Sequence, residues 1–242
     1  MDDLSIHYRL KGRCIYIDDY NLVLECAAPE DEIGAECQHN DARLIKIWSD
    51  VYANKPEVVH SRLQSVFGLS KKIPARQTIV KQINQNELDQ FLTVNHMNVP
   101  TKARHKYGLF LSNRLVAVAS FSKSCPIQRD GITYKSHELI RYGSLLNHTV
   151  VGGLSKLITH FVNEQQPEDI MTYVDKEWSS GSAFTNLDFT VIEETPAKSF
   201  VISTASNKRY YSQQELEVAE GSETDYRKIT DLGNYKLLKR FK

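Results

Sequence analysis

The sequence carries no excess of either charge: 30 Lys and Arg residues balance 30 Asp and Glu, for a formal net charge of zero. No global basic field announces nucleic acid, so any surface for it must be local. Cysteine is scarce. Cys14, Cys26, Cys37 and Cys125 are the 4 present, and their spacing shows no disulfide framework, which points to a reducing cytoplasm. Long apolar runs are missing as well. None approaches the ~20 residues of a membrane span, so no membrane partner is expected. The opening MDDLSIHYRL is acidic and has no signal-peptide apolar core. Repeats and low-complexity tracts are absent. What remains is 41% hydrophobic and 25% charged over 242 residues, an ordinary globular composition with room for one large domain or two small ones.

The most informative stretch runs from Ser136 to Phe189. His137 to Tyr142 is a short apolar run suited to a buried strand. Thr149 to Gly153 adds β-branched residues and a Gly-Gly break. Leu154, Leu157, Ile158 and Phe161 recur at helical spacing, and Pro167 ends that helix because it lacks a backbone donor. Ile170 to Val174 is a second apolar run, with Asp175 at its end. The pattern predicts a β-α-β unit with a ligand crevice beyond the strand ends. Glu138, Arg141 and Asp175 lie on or beside the predicted interior strands, where ionised groups are costly unless paired. They form either a structural ion-pair network or a polar active-site floor. A helix opened at Gly152-Gly153 has free N–H groups and a dipole that suit an anion such as phosphate.

Four blocks occur here in order: E-L-x-R at 138–141, V-V-G-G-x-S-K-L at 150–157, T-Y-V-D-x-x-W-S-x-G at 172–181 and F-x-x-L-x-F at 184–189. With the tail Tyr226-x-x-Ile229-x-Asp231-x-Gly233-Asn234-x-Lys236, they resemble the C-terminal module of phage-encoded homing-endonuclease-like proteins. The same pattern is similar to the Mom-like DNA-modification acyltransferases of the phage Mu type, within the GNAT superfamily. The resemblance runs from about Gln77 to the C-terminus. It implies an α+β domain over 77–242 with a GNAT-like mixed, largely antiparallel sheet and flanking helices. The implied activity is acyl transfer to DNA bases, at an exocyclic amine such as adenine N6, in a bacterial host's cytoplasm. By the same resemblance Arg141 and Asp175 are the polar site pair, joined by Glu138. Val151, Gly152, Gly153 and Ser155 hold the donor. The turn departs from the usual Q/R-x-x-G-x-G/A at both ends, so the donor is acetyl-CoA or another acyl donor. Phe184 stands where Mom-like proteins carry a tyrosine, which removes a phenol acid there. Tyr173 is expected in the core.

Residues 1–70 read as a smaller module. Cys14 to Ile17 and Leu22 to Cys26 form a hairpin, Leu44 to Trp48 a third strand, and Pro56 to Phe67 a helix. The order resembles the very-short-patch-repair and PD-(D/E)XK nuclease cores. Cys14 occupies the place of the first acidic ligand, and Glu25 keeps the second. One carboxylate is a poor Mg²⁺ site, so a degenerate module and no bound metal are expected. Gly68 to Arg76 reads as the linker.

The loop NHMNVPTKARHKYG follows a helix over Asn86 to Asn95. Its His96 is either a general base near neutrality or a residue favoured at a helix C-terminus. Lys102, Arg104 and Lys106, with Lys208 and Arg209 in NKRYY, are the candidate DNA contacts. Cys125 to Thr133 reads as a polar hairpin loop, and Glu215 to Asp225 as an acidic mobile stretch. Two other readings stand beside DNA modification. One is a DNA-binding homing-endonuclease-like protein with a residual or inactive nuclease. The other is an acyltransferase on a non-DNA acceptor.

Overall fold

In the computed structural model, residues 6–28, 37, 41–129 and 131–241 are described. The chain divides into two compact units: residues 1–56, 175–180 and 194–235 make the first, and 57–174, 181–193 and 236–242 the second. The first unit is therefore discontinuous in sequence, whereas the sequence suggested one cut between residues 70 and 77.

In the first unit, β1 (Arg9–Lys11), β2 (Cys14–Ile17) and β3 (Leu22–Ala27) form an antiparallel meander, and β4 (Arg43–Trp48) runs parallel to β3. The hairpin turn holds Asn21 at φ 46°, a left-handed position that asparagine tolerates. A short helix α1 (Ser49–Asn54) follows. The same unit holds a second sheet in the order β15 (Arg209–Tyr210), β14 (Ser199–Ser203), β16 (Tyr226–Thr230). Ala27, Trp48, Ile202 and Ile229 are buried together. The stretch expected to be mobile instead contributes α6 (Gln213–Glu220), with Leu216 fully buried against this sheet. The carboxylate of Glu220 accepts hydroxyls from Ser203, Ser206 and Tyr210 at 2.5, 2.6 and 2.6 Å, which hold its pKa down to about 2.

Two further findings correct the sequence reading of this unit. Cys14 and Cys37 are disulfide-bonded, with Cα atoms 5.9 Å apart, so the argument from unpaired thiols to a reducing compartment fails for this pair. And Glu25, buried to 4% exposure, is tied to Arg13 at 2.8 Å. The two positions that a nuclease would need for its acidic ligands are thus a disulfide half and an arginine-bound carboxylate. Among the described residues no cluster of His, Cys, Asp or Glu is placed to hold a metal ion.

The second unit begins with α2 (Pro56–Val66). The expected linker is ordered structure: β5 (Lys71–Pro74) pairs in parallel with β11 (His148–Val151), and a 3-10 turn follows at Ala75–Gln77. The main sheet is built from β6 (Ile79–Gln82), β7 (His105–Leu111), β8 (Arg114–Phe121), β10 (Ile132–Ser144), β12 (Asp169–Asp175), β13 (Thr190–Glu194) and β17 (Asn234–Arg240). Its order is β13-β17-β12-β10-β8-β7-β6, with β9 (Cys125–Arg129) paired to β10 as a hairpin, where a polar hairpin loop was expected. Helix α3 (Gln85–Asn95) starts with a capping box, Asn84 with Glu87, and α4 (Gly153–Gln165) connects β10 and β11 to β12. The short helix α5 (Ser182–Thr185) follows β12. Along this unit a strand, a helix, antiparallel strands, a glycine turn with its helix, a parallel strand and a short helix follow one another.

Helix α4 buries Leu154, Leu157, Ile158 and Phe161 as its spacing predicted, and Phe161 stacks on Phe121 with centroids 3.9 Å apart. Asp169, fully buried on β12, is bound by Arg129 and by the Ser136 hydroxyl, which closes the β9–β10 hairpin onto the next strand. Tyr173, expected in the core, is 42% exposed.

Two measurements test this account of the first unit. Reducing the Cys14–Cys37 bond should lower its stability by about 3 kcal/mol, because the loop it closes regains freedom when unfolded. Denaturation with and without reductant reads this, and coincident curves would contradict it. Glu177 is the second test. It is 4% exposed, both its oxygens face the Trp48 indole N–H at 3.0 Å, and burial, with the neighbouring Asp175 charge, pushes its pKa up to about 7. An acid with a raised folded pKa stabilises most below its unfolded value and loses that contribution as pH rises through the folded value. Between pH 4.5 and 7 the wild type should therefore lose on the order of 2–3 kcal/mol relative to Glu177→Gln. Parallel stability profiles for the two proteins would overturn the assignment.

Candidate active site

The site is built around a defect in β10. From Ser136 to Glu138 this strand pairs in parallel with β12, as Ser136↔Asp169, His137↔Ile170 and Glu138↔Met171, and the ladder ends there. On its other edge β10 continues along β8, but the register shifts between Leu139 and Arg141. Ile140 is the extra residue of a β-bulge. The hydroxyl of Thr172 on β12 donates to the Leu139 carbonyl at 3.0 Å, at the point where the two strands cease to pair.

The bulge changes which way the side chains face. Leu139 lies opposite Phe121, and so on the α4 side. Arg141 lies opposite Ser120, and the next row holds Gly143 and Val118, the latter packed on Leu88, Phe91 and Leu92 of α3. Arg141 is therefore on the α3 face. So is Glu138, which alternates with His137 and Leu139. A Cβ on Gly143 would meet Leu92 at 3.3 Å and His96 at 3.6 Å, so glycine permits α3 to end close to the sheet. Three of the predicted site residues, His96, Glu138 and Arg141, thus share one face of this unit.

Their states differ. Arg141 donates to its own neighbour, the Ile140 carbonyl, at 2.8 Å and to the Thr101 hydroxyl at 3.4 Å. Glu138 is half-buried; burial pushes its carboxyl up, against the pull of the Arg141 charge. His96 caps the C-terminus of α3, its Nδ1 accepting the Asn98 N–H at 3.0 Å. That is the structural role the sequence allowed it. Asp175 belongs to the first unit, where its carboxylate accepts the Glu177 N–H at 2.8 Å.

The glycine turn lies at the start of α4. Gly152 is the N-cap at φ 77°, a conformation that favours glycine, and the helix has no side-chain cap. Val151 is exposed, Gly153 is buried and Ser155 is half-buried in the first turn. Sequence reasoning missed two partners of this turn. The Tyr142 hydroxyl lies against the helix start, where a Cβ on Gly153 would come within 2.8 Å of its oxygen. Lys156 is clasped by the carbonyls of Ala75 (2.9 Å) and Thr78, which fixes the 3-10 turn against the helix start. No local pattern in the sequence marks either contact, since both join segments far apart in the chain.

The candidate nucleic-acid residues divide as well. Lys102, Arg104 and Lys208 are exposed, while the Lys106 ammonium donates to the Ala103 carbonyl at 2.7 Å. Arg209 is a correction. Its guanidinium makes a two-pronged pair with buried Asp50, at 3.0 and 2.9 Å, and cannot serve phosphate without breaking it.

No protein-family model matches the chain, and no curated protein matches it in sequence. Solved structures resemble it weakly. An Enterococcus faecalis protein of unknown function, described as a probable N-acyltransferase, is 15% identical over 53% of this chain, with a TM-score of 0.38; the chain spans 35% of that protein's length. A Corynebacterium glutamicum histone acetyltransferase and related acetyltransferase is 12% identical over 68% of this chain and 96% of its own, at 0.43. A Bacillus subtilis acetyltransferase in complex with CoA is 11% identical over 68% of this chain and 99% of its own, at 0.42.

The glycine turn gives a local test. Gly153→Ala should cost about 1–3 kcal/mol, because the added methyl meets Tyr142 and Val150. Much of that cost should vanish in a Tyr142→Phe background, as a double-mutant cycle on denaturation would show. Additive effects would mean that the hydroxyl and the glycine are not coupled.

Proposed function

We propose that the second unit is an acyltransferase domain that moves an acyl group from a CoA-type thioester to an amine. The observation that carries this reading is the parting of β10 from β12 at a bulge, on the same strand that leads to an uncapped, glycine-started helix. The turn from Val151 to Ser155 fits a diphosphate: its helix N-terminus has no side-chain cap, and Gly152 brings the backbone close. The turn would hold its anion through the N–H groups of the helix start and the Ser155 hydroxyl. Bound there, the thioester would supply an activated acyl carbonyl.

The chain's own residues supply the rest. The peptide at Ile140, freed from regular pairing by the bulge, can donate to the oxygen that gains charge during transfer. Glu138, with its carboxyl raised by burial, is suited to receive the proton that the amine loses. The charge of Arg141 limits that rise. Phe184 provides no phenol at its position, so solvent protonates the leaving thiolate.

DNA is the acceptor that the sequence resemblance suggests, with an exocyclic base amine as its nucleophile, and the exposed Lys102 and Arg104 support it. A cytoplasmic site of action accompanies that reading. The residual-nuclease reading receives no support from Cys14 and Glu25. Discontinuous transfer assays with acetyl-CoA and DNA or small amines test the proposal. Glu138→Gln should reduce kcat about 10²-fold or more at neutral pH, with little change in KM for the donor. Undiminished turnover in this variant would remove Glu138 from the chemistry.

A further inference from the structure

The side chains of β12 alternate. Ile170, Thr172 and Val174 are buried, Met171 is half-buried and Tyr173 is 42% exposed. Glu138 pairs with Met171 in the parallel ladder, and paired residues share a face. Tyr173 therefore stands on the Glu138 face, one outward position beyond the last rung, where β12 has parted from β10. Among the described residues its ring stacks on no other ring and under no cation.

Spacing and charge say what this ring can hold. Diagonal neighbours across a ladder stand about 7–8 Å apart, and parting strands widen that distance. A flat ring system laid on Tyr173 spans it, so an amino group on the ring's edge reaches toward Glu138. A cation is disfavoured here. The charge of Arg141 acts on Glu138, and Lys236 of β17, held by Glu193 at 2.8 Å, is near enough for Tyr173 to act on its charge. A protonated alkylamine would meet both positive neighbours, and burial weakens Glu138 as its counter-charge. A neutral aryl amine meets neither cost and gains the stacking.

We propose that Tyr173 selects the acceptor: a neutral aryl amine stacks on its ring and presents its nitrogen to Glu138. The transfer itself rests on the acyltransferase reading; the stacking does not. The amine's nitrogen forms the new bond to the acyl carbon as the thioester C–S bond breaks. Its proton passes to Glu138, and solvent protonates the thiolate. A nucleobase offers this chemistry either as a free nucleoside or within a single strand.

The test uses the full chain, in wild type, Tyr173→Phe and Tyr173→Ala, each checked for folding by circular dichroism. Calorimetry with adenosine and with aniline reads the stacking without any donor. Transfer kinetics with acetyl-CoA then compare adenosine, a single-stranded oligonucleotide, aniline and butylamine. Aryl-amine binding should weaken about tenfold in Tyr173→Ala and stay within about twofold in Tyr173→Phe. KM for the aryl amines should rise in step in Tyr173→Ala, while kcat, KM for acetyl-CoA and KM for butylamine hold. Transfer to adenosine or to the oligonucleotide supports the proposal, and the better of the two names the source. Equal losses in the two variants, no binding of either aryl amine, or a wild type that favours butylamine overturns it. Binding that Tyr173→Ala weakens, without transfer to any amine, sinks the acyltransferase reading and leaves the stacking site standing. Transfer that Tyr173→Ala leaves untouched for every amine does the reverse.

Discussion

A single surplus residue in β10 governs the second unit. Strand residues alternate faces with a period of two, so one inserted residue inverts every side chain beyond it. Before Ile140, Leu139 faces α4 and its aromatic core; after it, Arg141 faces α3 and Tyr142 faces the glycine turn. Without the bulge, Arg141 would point toward Phe121 and Phe161, and Tyr142 could not reach the glycine turn. The same irregularity coincides with the end of the ladder to β12. One strand therefore supplies a half-buried carboxylate, an opening between strands and a hydroxyl at a helix start, within five residues of one another.

Buried charge in this protein falls into two kinds. Asp169, Asp50 and Glu25 each meet an arginine, and these pairs fix local structure. Removing one partner would strand the other's charge, which is why such pairs are costly to break even where they add little net stability. Glu138 and Glu177 lack that kind of direct partner and have raised carboxyls instead. Glu177 sits in the first unit against an indole and beside Asp175, and acts on stability. Glu138 stands where strands part. Location separates the two, because their electrostatics alone do not.

Much of this architecture was legible in the residues. The hairpin over 14–26, the strand at 44–48, the helix over 86–95 and the β-α-β unit all carry strong local signals: alternation, capping and glycine punctuation. Where reading failed, the deciding interaction was remote in sequence. Residues 68–76 have a linker's composition, yet Lys71 to Pro74 find a strand partner at 148–151. The acidic stretch after Ser212 looks solvated, but Leu216 and Glu220 anchor it as a helix. Arg209 belongs to a basic-aromatic block on paper and to Asp50 in the fold. Cys14 and Cys37 form a bond that their spacing does not announce. Among site residues, Glu138, Arg141 and the glycine turn were visible as charges and breaks in apolar runs. Tyr142 and the bulge were not, because register across strands is a tertiary property.

The account rests on the claim that a thioester donor occupies the turn at 152–155 and the opening beside Ile140 together. Amide hydrogen exchange, with and without acetyl-CoA, reads both places in one experiment. The account predicts that acetyl-CoA slows exchange at Gly153 and Ser155 and also at Ile140 and Arg141, while free pyrophosphate protects only the first pair. Unchanged exchange at all four amides, or protection confined to residues remote from both, would contradict it.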